Sequence, residues 1–157
     1  MADSTELKAQ ILSLIPQQRP FRFIDTIVDV DEQHITAAYR FREDEYFYKG
    51  HFPDRPLTPG VILVETMAQA AVVALGIYLL LHKGVEISKI KETATLFTYA
   101  EALEFTGTVA LGERVMIKGQ KIYFRKGSIK TKASIARESG ETVCCGILAG
   151  TGVKFDE

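Results

Sequence analysis

The stretch that most restricts how this chain can fold is residues 59–81, apolar almost throughout. Thr58 suits a helix N-cap, Pro59 suits the first helical position, and Lys83-Gly84 provides a stop, so the stretch reads as one helix. At 1.5 Å per residue it is about 30 Å long, enough to cross a small domain. From Ala70 to Leu81 only Gly76 and Tyr78 vary the apolar surface. A helix without a polar face is buried on all sides or lies in lipid. A membrane span needs roughly 20 apolar residues, and Glu65 and Gln69 cut this run short. The rest of the chain therefore has to wrap this helix.

The wrapping can be read on either side of it. Residues 4–15 form an amphipathic pattern, with Leu7, Ile11, Leu12, Leu14 and Ile15 near one face, and Pro16 ends it. Residues 26–30 and 34–41 read as two strands joined at Asp31-Glu32-Gln33, with Ile35, Ala37 and Tyr39 on one side. After the helix, residues 90–99 read as a strand that continues over 102–105 past a bulge. Residues 114–124, 128–137 and 142–153 follow, joined by short turns at Arg125-Lys126-Gly127 and Glu138-Ser139-Gly140. Strands joined by tight hairpins make an antiparallel sheet with one face to bury. The expected fold is α+β, a curved antiparallel sheet wrapped around one long central helix, in a single domain over residues 1–157.

The composition narrows the partners. The 157 residues are 46% hydrophobic and 25% charged with a net charge of −1, an ordinary globular balance. No basic excess points to nucleic acid and nothing points to a membrane. The polar start Met-Ala-Asp-Ser-Thr-Glu is unlike a secretory leader, so a cytoplasmic location is expected. Cys144 and Cys145 are neighbours in an apolar stretch and read as reduced thiols rather than a bridge. They supply too few ligands for a metal site, and no metal or cofactor is expected.

Two residues stand out chemically. Pro53, Pro56 and Pro59 stiffen the segment ahead of the helix, which reads as an extended loop presenting His51. A loop histidine can be a base near neutral pH, or can bond a backbone carbonyl for structural reasons. Glu65 sits inside the apolar helix, where burial raises a carboxyl pKa and favours the protonated form. It can equally be held by a neighbouring loop. Gln69, at i+4, lies on the same face and can hold that carboxyl, a water or nearby backbone. Gly60 falls in the first helical turn, where amides have no intrahelical partner and a ligand oxygen can approach closely. It can also simply permit tight packing against the sheet. Tyr46, Phe47, Phe52, Met67 and Phe97 are candidates for either a ligand tunnel or ordinary core, and His34 and His82 read as solvent-facing.

The run Gly50-His51-Phe52-Pro53-x-x-Pro56-x-x-Pro59-Gly60-Val61-x-x-x-Glu65-x-Met67-Ala68-Gln69 closely resembles the signature of the 3-hydroxyacyl-[acyl carrier protein] dehydratases of fatty-acid synthesis. Leu14-Ile15-Pro16, Arg19-Pro20-Phe21, Ile24-Asp25 and Leu111-Gly112-Glu113 extend the resemblance over residues 8–153. It implies a hot-dog fold and dehydration of a (3R)-3-hydroxyacyl thioester to the trans-2-enoyl thioester, without a cofactor. It makes His51 the catalytic base, Glu65 the proton donor and the Gly60 amide the donor to the thioester carbonyl. Phe52, Pro59, Val61 and Gln69 complete the expected substrate contacts. Family members that also isomerise the double bond usually carry Asp at the Glu65 position, so the dehydratase-only type is implied. The resemblance also implies a homodimer or trimer of dimers, with His51 and Glu65 of one site drawn from different subunits and an acyl tunnel beside the central helix. Its partner is acyl carrier protein. A hot-dog thioesterase and a non-catalytic acyl-carrier-binding subunit are the alternatives. The chain departs from the family at Asp54, usually Gly, and at Ala110-Leu111. It also has Thr106-Gly107-Thr108 where many members have a basic pair associated with carrier docking. Lys126, Lys130 and Lys132 are candidates to replace that charge.

Overall fold

The computed structural model describes residues 4–155, so the polar start at Met1, Ala2 and Asp3 lies outside the described residues. Helix α1 (Ser4–Leu14) precedes strands β1 (Thr26–Val30) and β2 (His34–Arg40). The central helix α2 (Gly60–His82) follows, then a short helix α3 (Ile87–Lys91). Four long strands complete the chain: β3 (Thr93–Phe105), β4 (Arg114–Arg125), β5 (Ser128–Arg137) and β6 (Thr142–Lys154). They form one antiparallel sheet in the order β1-β2-β4-β5-β6-β3, curved around α2. This is the α+β hot-dog arrangement that the sequence implies.

α2 has the length and composition of a membrane span, yet 83% of its most apolar stretch is buried inside the protein. Every residue from Thr66 to Ile77 is buried. The sheet comes close enough to exclude side chains. A Cβ on Gly119 of β4 would lie 2.6 Å from the Ala71 Cβ, and one on Gly150 of β6 would lie 2.5 Å from Val72 Cγ1. The contact falls on a π-helical segment, Gln69–Ala74, between α-helical Gly60–Ala68 and Leu75–His82. Uniform apolarity gave no sign of that local unwinding, which is frequent at functional sites.

Other details differ from the sequence reading. The strand expected from residue 90 starts at Thr93, because Ile87–Lys91 forms α3 and buries Ile90. The bulge in β3 is present between Glu101 and Glu104, with Ala102 at a φ of 54°. The turn from β4 to β5 places Lys126 and Gly127 at φ values of 51° and 76°, the left-handed pair of a tight hairpin. Phe23, fully buried, meets Phe21, Tyr39 and Phe47 edge-on at 5.2, 5.8 and 6.0 Å between ring centres. This cluster fixes residues 21–23 against α2, which matters for the site.

Candidate active site

The segment ahead of α2 is a tight loop rather than the extended one its prolines suggest. Phe52 and Arg55 exchange backbone hydrogen bonds of 3.2 and 3.0 Å, with Pro53 and Asp54 at the tip. The Leu57 amide then donates to the His51 carbonyl at 2.8 Å. The His51 ring returns the bond, its Nδ1 lying 2.9 Å from the Leu57 carbonyl oxygen. A carbonyl can only accept, so Nδ1 carries the hydrogen in the neutral ring and Nε2 keeps its lone pair. Phe52 stacks on the imidazole with ring centres 4.1 Å apart. One nitrogen of His51 thus ties the loop together, as in the structural reading, and among the described residues no hydrogen bond engages the other.

Thr58 is not the N-cap. Its hydroxyl is buried and pairs with the Tyr48 hydroxyl at 2.6 Å, and its amide donates to the Val109 carbonyl. Pro59 occupies the capping position with extended backbone, and α2 begins at Gly60. The Gly60 and Val61 amides therefore belong to the first turn, where no intrahelical carbonyl precedes them. A Cβ on Gly60 would lie 3.0 Å from Phe105 Cε1, so glycine admits the Phe105 ring of β3 against the helix start. Val61 is 76% exposed and Phe52 51%, while Pro59 is buried.

Glu65 is half-buried on α2, and burial pushes its carboxyl above the usual carboxylate range. One hydrogen bond opposes that rise: Gln69 Nε2 donates to Glu65 Oε2 at 2.9 Å. Gln69 is fully buried, and its other contacts are to backbone. Nε2 donates to the Phe21 carbonyl and Oε1 accepts from the Phe23 amide, both at 2.8 Å. Because an amide N–H can only donate, the Phe23 bond fixes which end of the Gln69 side chain faces Glu65. Oε2 is held in this way, and among the described residues no hydrogen bond engages Oε1. Gln69 therefore holds the carboxyl and satisfies backbone at once.

Among the described residues no hydrogen bond joins His51 to Glu65 within one chain. Met67 belongs to the core and Phe47 to the aromatic cluster, while Tyr46, Phe52 and Phe97 are exposed. His34 lies beside Asp31, and His82 pairs with Glu32 at 3.0 Å, both near the surface. No group of three or more His, Cys, Asp or Glu side chains converges among the described residues. Four supporting residues escaped the sequence reading: Leu57, Phe21, Phe23 and Phe105. Three act through backbone groups and Phe105 through a long-range contact, neither of which a local pattern encodes.

Comparison with known proteins places this geometry. The model of the FabA-like domain matches residues 15–144. The 3-hydroxyacyl-[acyl-carrier-protein] dehydratase FabZ of Bacillus licheniformis is 33% identical over 136 residues, 86% of this chain and 88% of that protein. The protein of the same name from Caldicellulosiruptor bescii is 34% identical over 140 residues, 88% of this chain and 93% of that one. A solved structure of the dehydratase heterocomplex ApeI:P from Xenorhabdus doucetiae shares the fold with a TM-score of 0.72, covering 94% of this chain and 91% of that one at 14% identity. With its central helix wrapped by one antiparallel sheet and its His51 to Gln69 motif in place, the chain belongs to the FabA-like family, among the FabZ-like hot-dog dehydratases.

Proposed function

We propose that this chain dehydrates (3R)-3-hydroxyacyl thioesters carried on acyl carrier protein to trans-2-enoyl thioesters, as part of fatty-acid synthesis. The reaction removes a proton from the carbon beside the thioester carbonyl and expels a hydroxyl that leaves only as water. His51 Nε2 takes the carbon-bound proton, and Glu65, protonated on Oε1, gives its proton to the departing hydroxyl. The double bond forms between the two carbons as water leaves. The Gly60 amide, at the positive end of α2, donates to the carbonyl oxygen as negative charge builds there. Phe52, Pro59 and Val61 flank the substrate, and Gln69 positions Glu65. The observation that carries this reading is the pairing in one motif of an imidazole whose Nδ1 is tied to the Leu57 carbonyl and a carboxyl that burial pushes toward its neutral form.

The site is completed by a second copy in this reading. β3 is an edge strand of 13 residues, bonded to β6 alone. Leu96, Phe97, Tyr99, Leu103 and Phe105 on it are each between 37% and 54% exposed. A long apolar edge invites another strand, and β3 of a two-fold-related copy continues the sheet and covers those side chains. His51 of one subunit then meets Glu65 of the other.

The carrier protein finds positive charge on the β4–β5 hairpin. Arg114, Lys118, Lys121, Arg125, Lys126, Lys130, Lys132 and Arg137 lie there with no Asp or Glu among them. Only Arg114 and Arg137 of these pair with carboxylates among the described residues. Unpaired thiols at Cys144 and Cys145 suit a reducing cytoplasm. Incubating the purified chain with 3-hydroxyacyl and crotonyl carrier thioesters tests the assignment. Reversible enoyl formation without thiol release is expected. Thiol release without enoyl formation would make it a thioesterase instead.

A further inference from the structure

Tyr48 and Thr58 close the loop that carries His51 through their side chains. Their hydroxyls lie 2.6 Å apart, and both residues are buried. Among the described residues neither hydroxyl has another partner, so one donates and the other accepts. Such a pair adds little net stability, because replacing both partners by apolar groups of the same shape is close to neutral. What it adds over packing is direction. A hydrogen bond holds two atoms to a distance and an angle, whereas apolar contact is non-directional.

The constraint reaches the site from both ends of the loop. Tyr48 precedes His51 by three residues, and its ring is set edge-on against Phe47 with centres 4.8 Å apart. Phe47 in turn meets Phe23, whose amide holds Gln69 Oε1. Thr58 directly follows Leu57, the residue that makes both bonds to His51, and stands two residues before Gly60. The Thr58 amide donates to the Val109 carbonyl at 3.1 Å, so backbone and side chain are anchored on different elements. A hydroxyl just ahead of a helix commonly turns onto the first amides as a cap. That of Thr58 turns to Tyr48 instead, and no side chain caps the start of α2 among the described residues.

We propose that Tyr48 and Thr58 are positioning residues for the dehydration, their hydroxyl pair setting the His51 imidazole and the Gly60 amide in their working places. The proposal rests on the dehydratase reading. With the pair made, Leu57 is held between His51 and an anchored Thr58, so its carbonyl stays at Nδ1 and α2 starts at a fixed point. Without the pair, the loop is still closed by its His51–Leu57 and Phe52–Arg55 bonds, but base and carbonyl donor drift against the substrate. A misplacement of about 1 Å can cost 10²-fold in rate.

The test compares kcat and KM per folded molecule, on a 3-hydroxyacyl carrier thioester, in the parent, Tyr48→Phe, Thr58→Val, the double variant and Thr58→Ser. Each single apolar variant strands one buried hydroxyl and is expected to lower the urea midpoint, whereas the double strands none and returns toward the parent. The double is nevertheless expected to keep a kcat at least about tenfold below the parent's with KM little changed, since positioning is felt in the transition state. Thr58→Ser retains the hydroxyl and is expected to retain most of the turnover. A parent that forms no enoyl thioester would overturn the dehydratase reading and this inference together. Parental kcat in the double, a change in KM alone, or a Thr58→Ser as impaired as Thr58→Val would overturn this inference only. Should the double not fold, parental kcat in either folded single apolar variant would do the same.

Discussion

Glu65 is the residue at which the proposed function and stability pull against each other. Burial raises its carboxyl pKa in the folded state, and the Gln69 amide only partly offsets that. The folded chain therefore binds this proton more tightly than the unfolded one, and the fold loses stability as pH climbs from the unfolded pKa through the folded one. Glu65→Gln removes that dependence. In thermal melts the variant is expected to gain more Tm over the parent at pH 7 than at pH 4, and an equal difference at both would contradict the assignment of a raised pKa. Gln69 carries a separate structural load. Replacing it with alanine strands the buried Phe23 amide and Phe21 carbonyl, so Gln69→Ala is expected to lose about 1–3 kcal/mol in urea unfolding. No loss would mean that those groups find other partners.

At the scale of elements, what could be read was whatever repeats locally. Alternation in His34–Arg40 and the turn residues Lys126-Gly127 located their elements to within a residue or so. The bulge before Phe105 was also legible, because Glu101 and Ala102 interrupt the alternation. Features set by distant contacts were not. Thr58 reads as a cap until Tyr48 takes its hydroxyl, and the π-helical Gln69–Ala74 is hidden in residues that are all apolar. The fit of helix to sheet gives a direct check. Gly119→Ala drives a methyl to 2.6 Å from the Ala71 Cβ and 2.9 Å from its Cα, where neither atom is the tip of a flexible chain. Overpacking of this kind is expected to lower stability by about 1–3 kcal/mol, measured by denaturant titration. A neutral result would show that the sheet can draw back from α2.

The whole molecule explains why half the site was legible and half was not. His51 and Glu65 stand in one motif, yet among the described residues of a chain their side chains bond only to their own supports, Leu57 and Gln69. Leu96, Phe97 and Tyr99 look like ordinary strand residues until the sheet shows them on an open edge. Placing lysine at both Phe97 and Tyr99 sets like charges against each other across the proposed seam. Sedimentation is expected to show monomers, with activity lost in parallel, and a fully active monomer would remove the need for a second copy. Mixing two inactive variants asks most directly whether the imidazole and the carboxyl act together across that seam. Alone, His51→Ala and Glu65→Gln are each expected to lower turnover by about 10²–10⁴-fold with assembly intact. Unfolded together and refolded, they form mixed dimers in which one of the two sites regains both native groups, so activity is expected to return to about a quarter of the parent's. No recovery from properly mixed dimers, or near-parental turnover in either variant alone, would contradict the account.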